Sequence, residues 1–395
     1  MPNASRFSCF MMGSQSRLIR CAEVLLEQNH RIRGIITDEP SIEKWVKANN
    51  LRLIPPSEDL PNLLELESFD LFFSIDNFFK VPDEILDLPR IYAVNFHDAP
   101  LPRYAGTNAT NWALMNGESF HGVTWHVMTN VIDAGDILKQ SVFDVSEKET
   151  ALTLNAKCYE ESIQCFREFM EELAAGNLKP QQQDLTRRTF FPRWKRPTGG
   201  CTIDWSASAK EIYNFYRGLN FGSYWNPLGL PKVYWKDAVF IVKQIDVLNS
   251  SSSAPPGVIT NISDTTIQVS TSTRDIYLGE FATLSGLAIS PGQFIAKTGL
   301  KYGDVLAESE PGFVDKIGKI HSDISKHENF WIKQLENTAP IEIPYARLPS
   351  ATSISSNVSK IRLGIPEAIL AGRKTDDTPG DFILAGFLAY LHRIT

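Results

Sequence analysis

Residues 95–138 read NFHDAPLPRYAGTNATNWALMNGESFHGVTWHVMTNVIDAGDIL, and this stretch decides how the chain folds. It follows an apolar run, 91–94, that predicts a buried strand. Asn95 and His97 are two residues apart, so on a strand both side chains leave the same face. Pro100, Pro102 and Gly106 then predict a loop at the strand's carboxyl end. A second apolar segment, 123–128, runs on to Ile132-Asp133-Ala134-Gly135-Asp136, another turn. If the two strands are neighbours, an amide, an imidazole and a carboxylate come within reach of one another.

Upstream, short apolar runs at 7–12, 32–36, 51–54 and 71–75 predict strands. Helical spacing separates them at 18–26, at 41–48 with Ser41 as N-cap, and at 60–66. Strands alternating with helices predict an α/β fold, a Rossmann-like doubly wound parallel sheet covered on both faces. Ligands of such sheets bind outside the carboxyl ends of the strands, where the strand order reverses. Only Gly13 follows the first strand, and without GxGxxG a dinucleotide phosphate cradle is not expected.

Downstream, 150–175 has the apolar spacing of an amphipathic helix, and 181–197 is a polar connector. From Cys201 one short helical segment precedes strands near 232–235, 238–245, 257–262, 266–270 and 274–278, which predict a small OB-like β-barrel. Beyond Pro311 the texture changes again, to helical spacing at 317–335 and a Ser-rich stretch at 350–359. A chain of 395 residues is too long for one ordinary domain. The expected division is 1–195, 196–311 and 312–395, the last reading as the opening of something that continues further.

A net charge of −7 argues against nucleic acid as the partner. No apolar run reaches the length of a membrane span, and the start lacks a cleavage-site pattern. The five scattered cysteines include no CxxC pair, so neither a metal site nor a disulfide framework is expected, and the chain reads as cytoplasmic.

The chemistry open to Asn95, His97 and Asp133 is acyl transfer to an amine. A carboxamide N–H and a protonated imidazole are suitable oxyanion donors, and losing one such donor costs about 3–4 kcal/mol at the transition state. A carboxylate orients the imidazole and favours its cation. His121 and His126 read as structural, His126 because it simply alternates along its strand.

Asn95-Phe96-His97, the loop Leu101-Pro102-Arg103-Tyr104-Ala105-Gly106, Gly122-Val123-Thr124 and Asp133-Ala134-Gly135-Asp136-Ile137-Leu138 together resemble the signature of folate-dependent formyltransferases. These include methionyl-tRNA, glycinamide ribonucleotide and sugar-amine formyltransferases. The resemblance spans about 7–190. It implies that Asn95, His97 and Asp133 are catalytic and that 10-formyltetrahydrofolate is the one-carbon donor. It places the pterin against Asn77, Phe78, Phe79 and Lys80, with Val131, Ile132 and Asp136 on the opposite wall. Asp98-Ala99 departs from the Gly-Ser or Pro-Ser common after the family's His, adding a charge.

Residues 201–310 resemble the C-terminal barrel of methionyl-tRNA formyltransferases, yet carry no basic excess with which to grip tRNA phosphates. His327-Glu328-Asn329-Phe330-Trp331, Ile341-Glu342-Ile343-Pro344-Tyr345 and Gly380-Asp381-Phe382 are similar to segments that precede adenylation domains in nonribosomal peptide synthetases. That arrangement implies an aminoacyl carrier protein with a phosphopantetheine arm, and adjoining synthetase domains, as partners. The alternatives are a nucleotide-linked amino sugar, methionyl-tRNA, or a non-catalytic docking module.

Overall fold

The computed structural model describes residues 5–57, 59–77, 81–236, 238–306, 312–336 and 387–388. It has two compact units, residues 1–326 and residues 327–395. In the described part of the second, Glu328–Glu336 is helical and Phe330 meets Trp331 edge to face.

The first unit opens with β1 (Ser8–Gly13), β2 (Arg31–Ile36), β3 (Leu53–Ile54), β4 (Leu71–Ile75) and β5 (Tyr92–His97), all hydrogen-bonded in parallel. The loop strand β6 (Ala105–Gly106) lies outside this sheet. Antiparallel β7 (Phe120–Val127) and β8 (Ile137–Asp144) complete it, in the order β3-β2-β1-β4-β5-β7-β8. The parallel doubly wound core expected from the sequence is present, and two antiparallel strands extend it at one edge. A parallel return needs a crossover of a dozen or more residues, whereas the turn after Val127 takes nine residues to β8, enough only for an antiparallel neighbour. The chain runs from β1 out to β3 and back to β4 on the other side of β1, so the strand order reverses between β1 and β4.

Every residue of β1 and β4 is buried, as strands covered on both faces require. On one face the helix Ala151–Ala174, capped by Thr150, packs Phe166 against Phe73 and Trp125. On the other face Phe10, Phe72, Phe69 and Ile85 form a second core. The helix expected over 41–48 is Pro40–Ala48. Its N-cap is Glu39 rather than Ser41, because Pro40 takes the first turn, where its missing N–H costs nothing.

A connector leads through β9 (Phe190–Phe191), which pairs in parallel with β6, to the helix Ala209–Leu219. The strands that follow are β10 (Lys232–Trp235), β11 (Ala238–Val242), β12 (Ile245–Val247), β13 (Ile259–Ile262), β14 (Ile267–Val269), β15 (Ile276–Leu278), β16 (Phe281–Ala282) and β17 (Ala288–Ile289). They form two antiparallel sheets, β10-β11-β16-β17 and β12-β15-β14-β13, over one core centred on Phe240, Phe281 and Phe294. The helix Phe313–Ser325 belongs to this first unit, its Gly318 lying against the Thr198–Gly200 turn.

Candidate active site

The register of β5 on β7 builds the site. Asn95 pairs with His126 and His97 with Thr124, so Asn95, His97 and His126 are brought to the carboxyl end of β5. Asp133 enters from the β7–β8 turn. It adopts a left-handed backbone (φ 52°), a conformation that Asp tolerates better than most residues. Its Oδ2 accepts from the Gly106 amide at 2.8 Å and lies 3.8 Å from His97 Nδ1. Asn95, His97 and Asp133, proposed from sequence, are thus gathered in one place.

His126, which the sequence presents as structural, stands between two of them. Its Nε2 is 3.2 Å from Asn95 Nδ2 and 3.5 Å from Asp133 Oδ1. Its Nδ1 donates to the Val127 carbonyl at 2.9 Å; Nε2 accepts from Asn95 when the ring is neutral and presents an N–H to Asp133 when the ring is protonated. Alternation along β7 pointed His126 to one face, but no pattern in the sequence tells which strand covers that face.

His97 Nε2 faces the Tyr104 carbonyl at 2.8 Å and must carry the proton there. Its Nδ1 is left facing Asp133 at 3.8 Å and Asp98 at 3.9 Å. Burial disfavours the imidazolium, but the two carboxylates and the Tyr104 carbonyl outweigh it and raise the His97 pKa. Burial pushes the Asp133 carboxyl up, and His97, His126 and the Gly106 amide overcome it, holding Asp133 well below the usual carboxylate range. The result is a carboxylate beside a ring whose cation it favours.

The turn bearing Asp133 is itself clamped. Gln183 donates to the carbonyls of Asp133 (3.1 Å) and Gly135 (2.6 Å), and Arg188 to that of Ile132 (2.9 Å). Val131 and Ile132 stand exposed on this turn, as does Asp136. Across the switch point, Asn77 follows β4 with its amide near Ser74 Oγ (3.5 Å) and Met12 Sδ (3.8 Å). Phe78, Phe79 and Lys80 lie outside the described residues. Asp76, also left-handed at φ 48°, is paired with the buried Arg17, whose guanidinium lies 4.1 Å from the Phe96 ring centroid. Burial, with Asp98 adding, lifts Asp76 to about 6 against the pull of Arg17.

A cleft of about 460 Å³ opens at the amino end of β5, between Asp83, Leu86, Tyr92 and residues 127–130. None of Asn95, His97 and Asp133 lines it, so it lies apart from these three residues. Among the described residues no cluster of His, Cys, Asp or Glu is arranged to hold a metal ion, and no helix is long and apolar enough to cross a membrane. All five cysteines are free and buried.

A mixed sheet with a switch point and this convergence of amide, imidazoles and carboxylate are of the kind that suits a group-transfer enzyme. A formyl transferase family model matches residues 72–169 and a formyl transferase C-terminal domain model matches 198–299; the chain belongs to the formyl transferases. It is 25% identical to a methionyl-tRNA formyltransferase of Clostridium acetobutylicum over 75% of this chain and 98% of that one. A relative of the same name in Clostridioides difficile is 26% identical over the same shares. Among solved structures, the sugar 3N-formyl transferase WlaRD covers 72% of this chain and all of its own at TM-score 0.56 and 17% identity. HypX from Aquifex aeolicus, solved with tetrahydrofolic acid, covers 75% of this chain and 48% of its own at TM-score 0.51 and 16% identity. At these identities the structural likeness speaks for the fold.

Proposed function

We propose that the chain moves the formyl group of 10-formyltetrahydrofolate to an amine, the α-amine of an aminoacyl thioester on a peptidyl carrier protein. The observation that carries the reaction is the linked set Asn95, His126, Asp133 and His97 at the end of β5. The donor lies between Asn77, which follows β4, and the turn with Val131, Ile132 and Asp136. Both Asn95 amide hydrogens are engaged, by the Phe96 carbonyl at 2.9 Å and by His126 at 3.2 Å. The longer of these bonds is the one that the formyl oxygen displaces, so that Asn95 and the imidazolium of His97 share the oxyanion. Asp133 holds the ring and its charge.

Two observations support an anionic carrier as the acceptor's bearer. The tail is similar to segments preceding adenylation domains, and residues 185–203 carry Arg187, Arg188, Arg193, Lys195 and Arg196 with no acidic residue among them. This basic strap pairs through β9 with β6, whose Gly106 holds Asp133. The relatives' names supply the second reading, a methionyl-tRNA or nucleotide-linked amino-sugar acceptor.

The test offers 10-formyltetrahydrofolate with an aminoacylated carrier protein, methionyl-tRNA or a nucleotide-linked amino sugar, and follows formyl incorporation by mass. Formylation of the carrier-bound aminoacyl group is expected; transfer only to tRNA or sugar overturns the acceptor assignment. His97→Ala and Asp133→Ala should each lower turnover more than about tenfold. Unchanged rates would remove these residues from the mechanism.

A further inference from the structure

The charges around the site do not balance in pairs. Arg17 is engaged by Asp76, and His97 is bracketed by Asp133. Asp98 is left over. Its side chain keeps 29% of its surface exposed, and among the described residues its carboxylate has one close charged neighbour, His97 at 3.9 Å. It accepts no hydrogen bond within the described set; its backbone carbonyl, not its carboxylate, takes the His121 Nε2 proton at 2.8 Å. Asp98 follows directly on β5, one residue beyond His97 at that strand's carboxyl end. A solvent-reached carboxylate, unmatched by any lysine or arginine among the described residues, thus stands beside the residue that stabilises the oxyanion.

We propose that Asp98 binds the acceptor amine as an ammonium ion and directs that nitrogen at the formyl carbon beside His97. This rests on the acceptor being an amine, as read above, but not on which amine. An α-amino group, with a pKa near 7.7–8.0, is mostly cationic at neutral pH, so the prevailing form is the one a free carboxylate attracts. Overall the acceptor enters as R–NH3+ and leaves as R–NH–CHO. One proton passes to water at the exposed Asp98 carboxylate before attack. The nitrogen–formyl bond then forms, the formyl–N10 bond breaks, and the second proton ends on N10 of tetrahydrofolate.

The test is Asp98→Asn in the full chain, which keeps the size and removes the charge. With an aminoacyl pantetheine thioester as probe, its KM should rise at least about tenfold, a loss of the order known for hydrogen bonds to charged groups. The KM for the folate should stay within twofold or so, since the donor meets other residues. Asp98→Glu should recover part of the loss. An aminooxy analogue of the same acceptor, uncharged at neutral pH, should lose clearly less than the charged one in Asp98→Asn, its loss being only the share that Asp98 has in holding the His97 charge. An unchanged acceptor KM in Asp98→Asn overturns the proposal. So does an equal loss for the charged and uncharged acceptors, which would make Asp98 a support for His97 instead. If the thioester is not formylated but an amino sugar is, the carrier reading fails, and the same comparison on the amino sugar still decides the role of Asp98.

Discussion

His126 is the residue that the structure adds to the site. Placed between the Asn95 amide and the Asp133 carboxylate, it sets the orientation of both. His126→Ala removes the acceptor of the Asn95 amide, and we expect turnover to fall at least about tenfold with the acceptor KM little changed, measured in steady state. The pH dependence of stability follows from the neighbouring pair. Folding raises the His97 pKa, so its contribution is complete below the unfolded value of 6.5 and fades as pH climbs through the folded value. His97→Gln should therefore destabilise more on the acid side of 6.5 than well above it. Folding lowers the Asp133 pKa, so its contribution is present above 3.8 and is lost as pH falls through the lower folded value. Urea melts of His97→Gln and Asp133→Asn across pH test both signs.

At the scale of elements, the β7–β8 turn and the switch point depend on close backbone approach. A methyl group on Gly13 would stand 1.9 Å from the Ile75 carbonyl oxygen, where β1 lies against β4. Gly13→Ala must part those strand ends and should destabilise the chain by roughly 1–3 kcal/mol in urea melts, as overpacking does. The clamp on the Asp133 turn gives a subtler outcome. Gln183→Ala frees the carbonyls of Asp133 and Gly135 while leaving the sheet intact. Turnover should drop about tenfold or more and the folate KM should rise, with a melting temperature close to wild type; misplacements of about 1 Å have such effects.

Across the whole molecule, the C-terminal β domain is joined to the catalytic domain by specific contacts. Asn111 donates to the Gly218 carbonyl at 2.7 Å, and Arg217 to that of Ser146 at 2.9 Å. A Cβ on Gly218 would meet Met115 Cγ at 2.6 Å and the Asn111 carbonyl at 2.9 Å. Gly218→Ala should push apart the helices Ala109–Met115 and Ala209–Leu219 and split a single calorimetric transition into two. One transition with an unchanged midpoint would mean that the interface absorbs the methyl group.

Much of this was legible in the chain itself. The spacing of apolar residues placed β4 and the helix Ala151–Ala174 almost to the residue, because an unbroken apolar run and a helical apolar period are both read from near neighbours along the chain. Two-residue spacing put Asn95 and His97 on one face for the same local reason. The strand β8 escaped, since its mixture of Lys139, Gln140 and Ser141 with apolar residues carries no strong period. His126 escaped because its meeting with Asn95 is a fact of register between strands thirty-one residues apart. The leftover charge of Asp98 appears only once Arg17 is seen to be engaged by Asp76 across the fold. The order of residues determined the elements and the kinds of chemical group available, because these depend on neighbours along the chain. Only the tertiary structure decided which groups face one another, because pairing across a sheet is set by packing that no local pattern records.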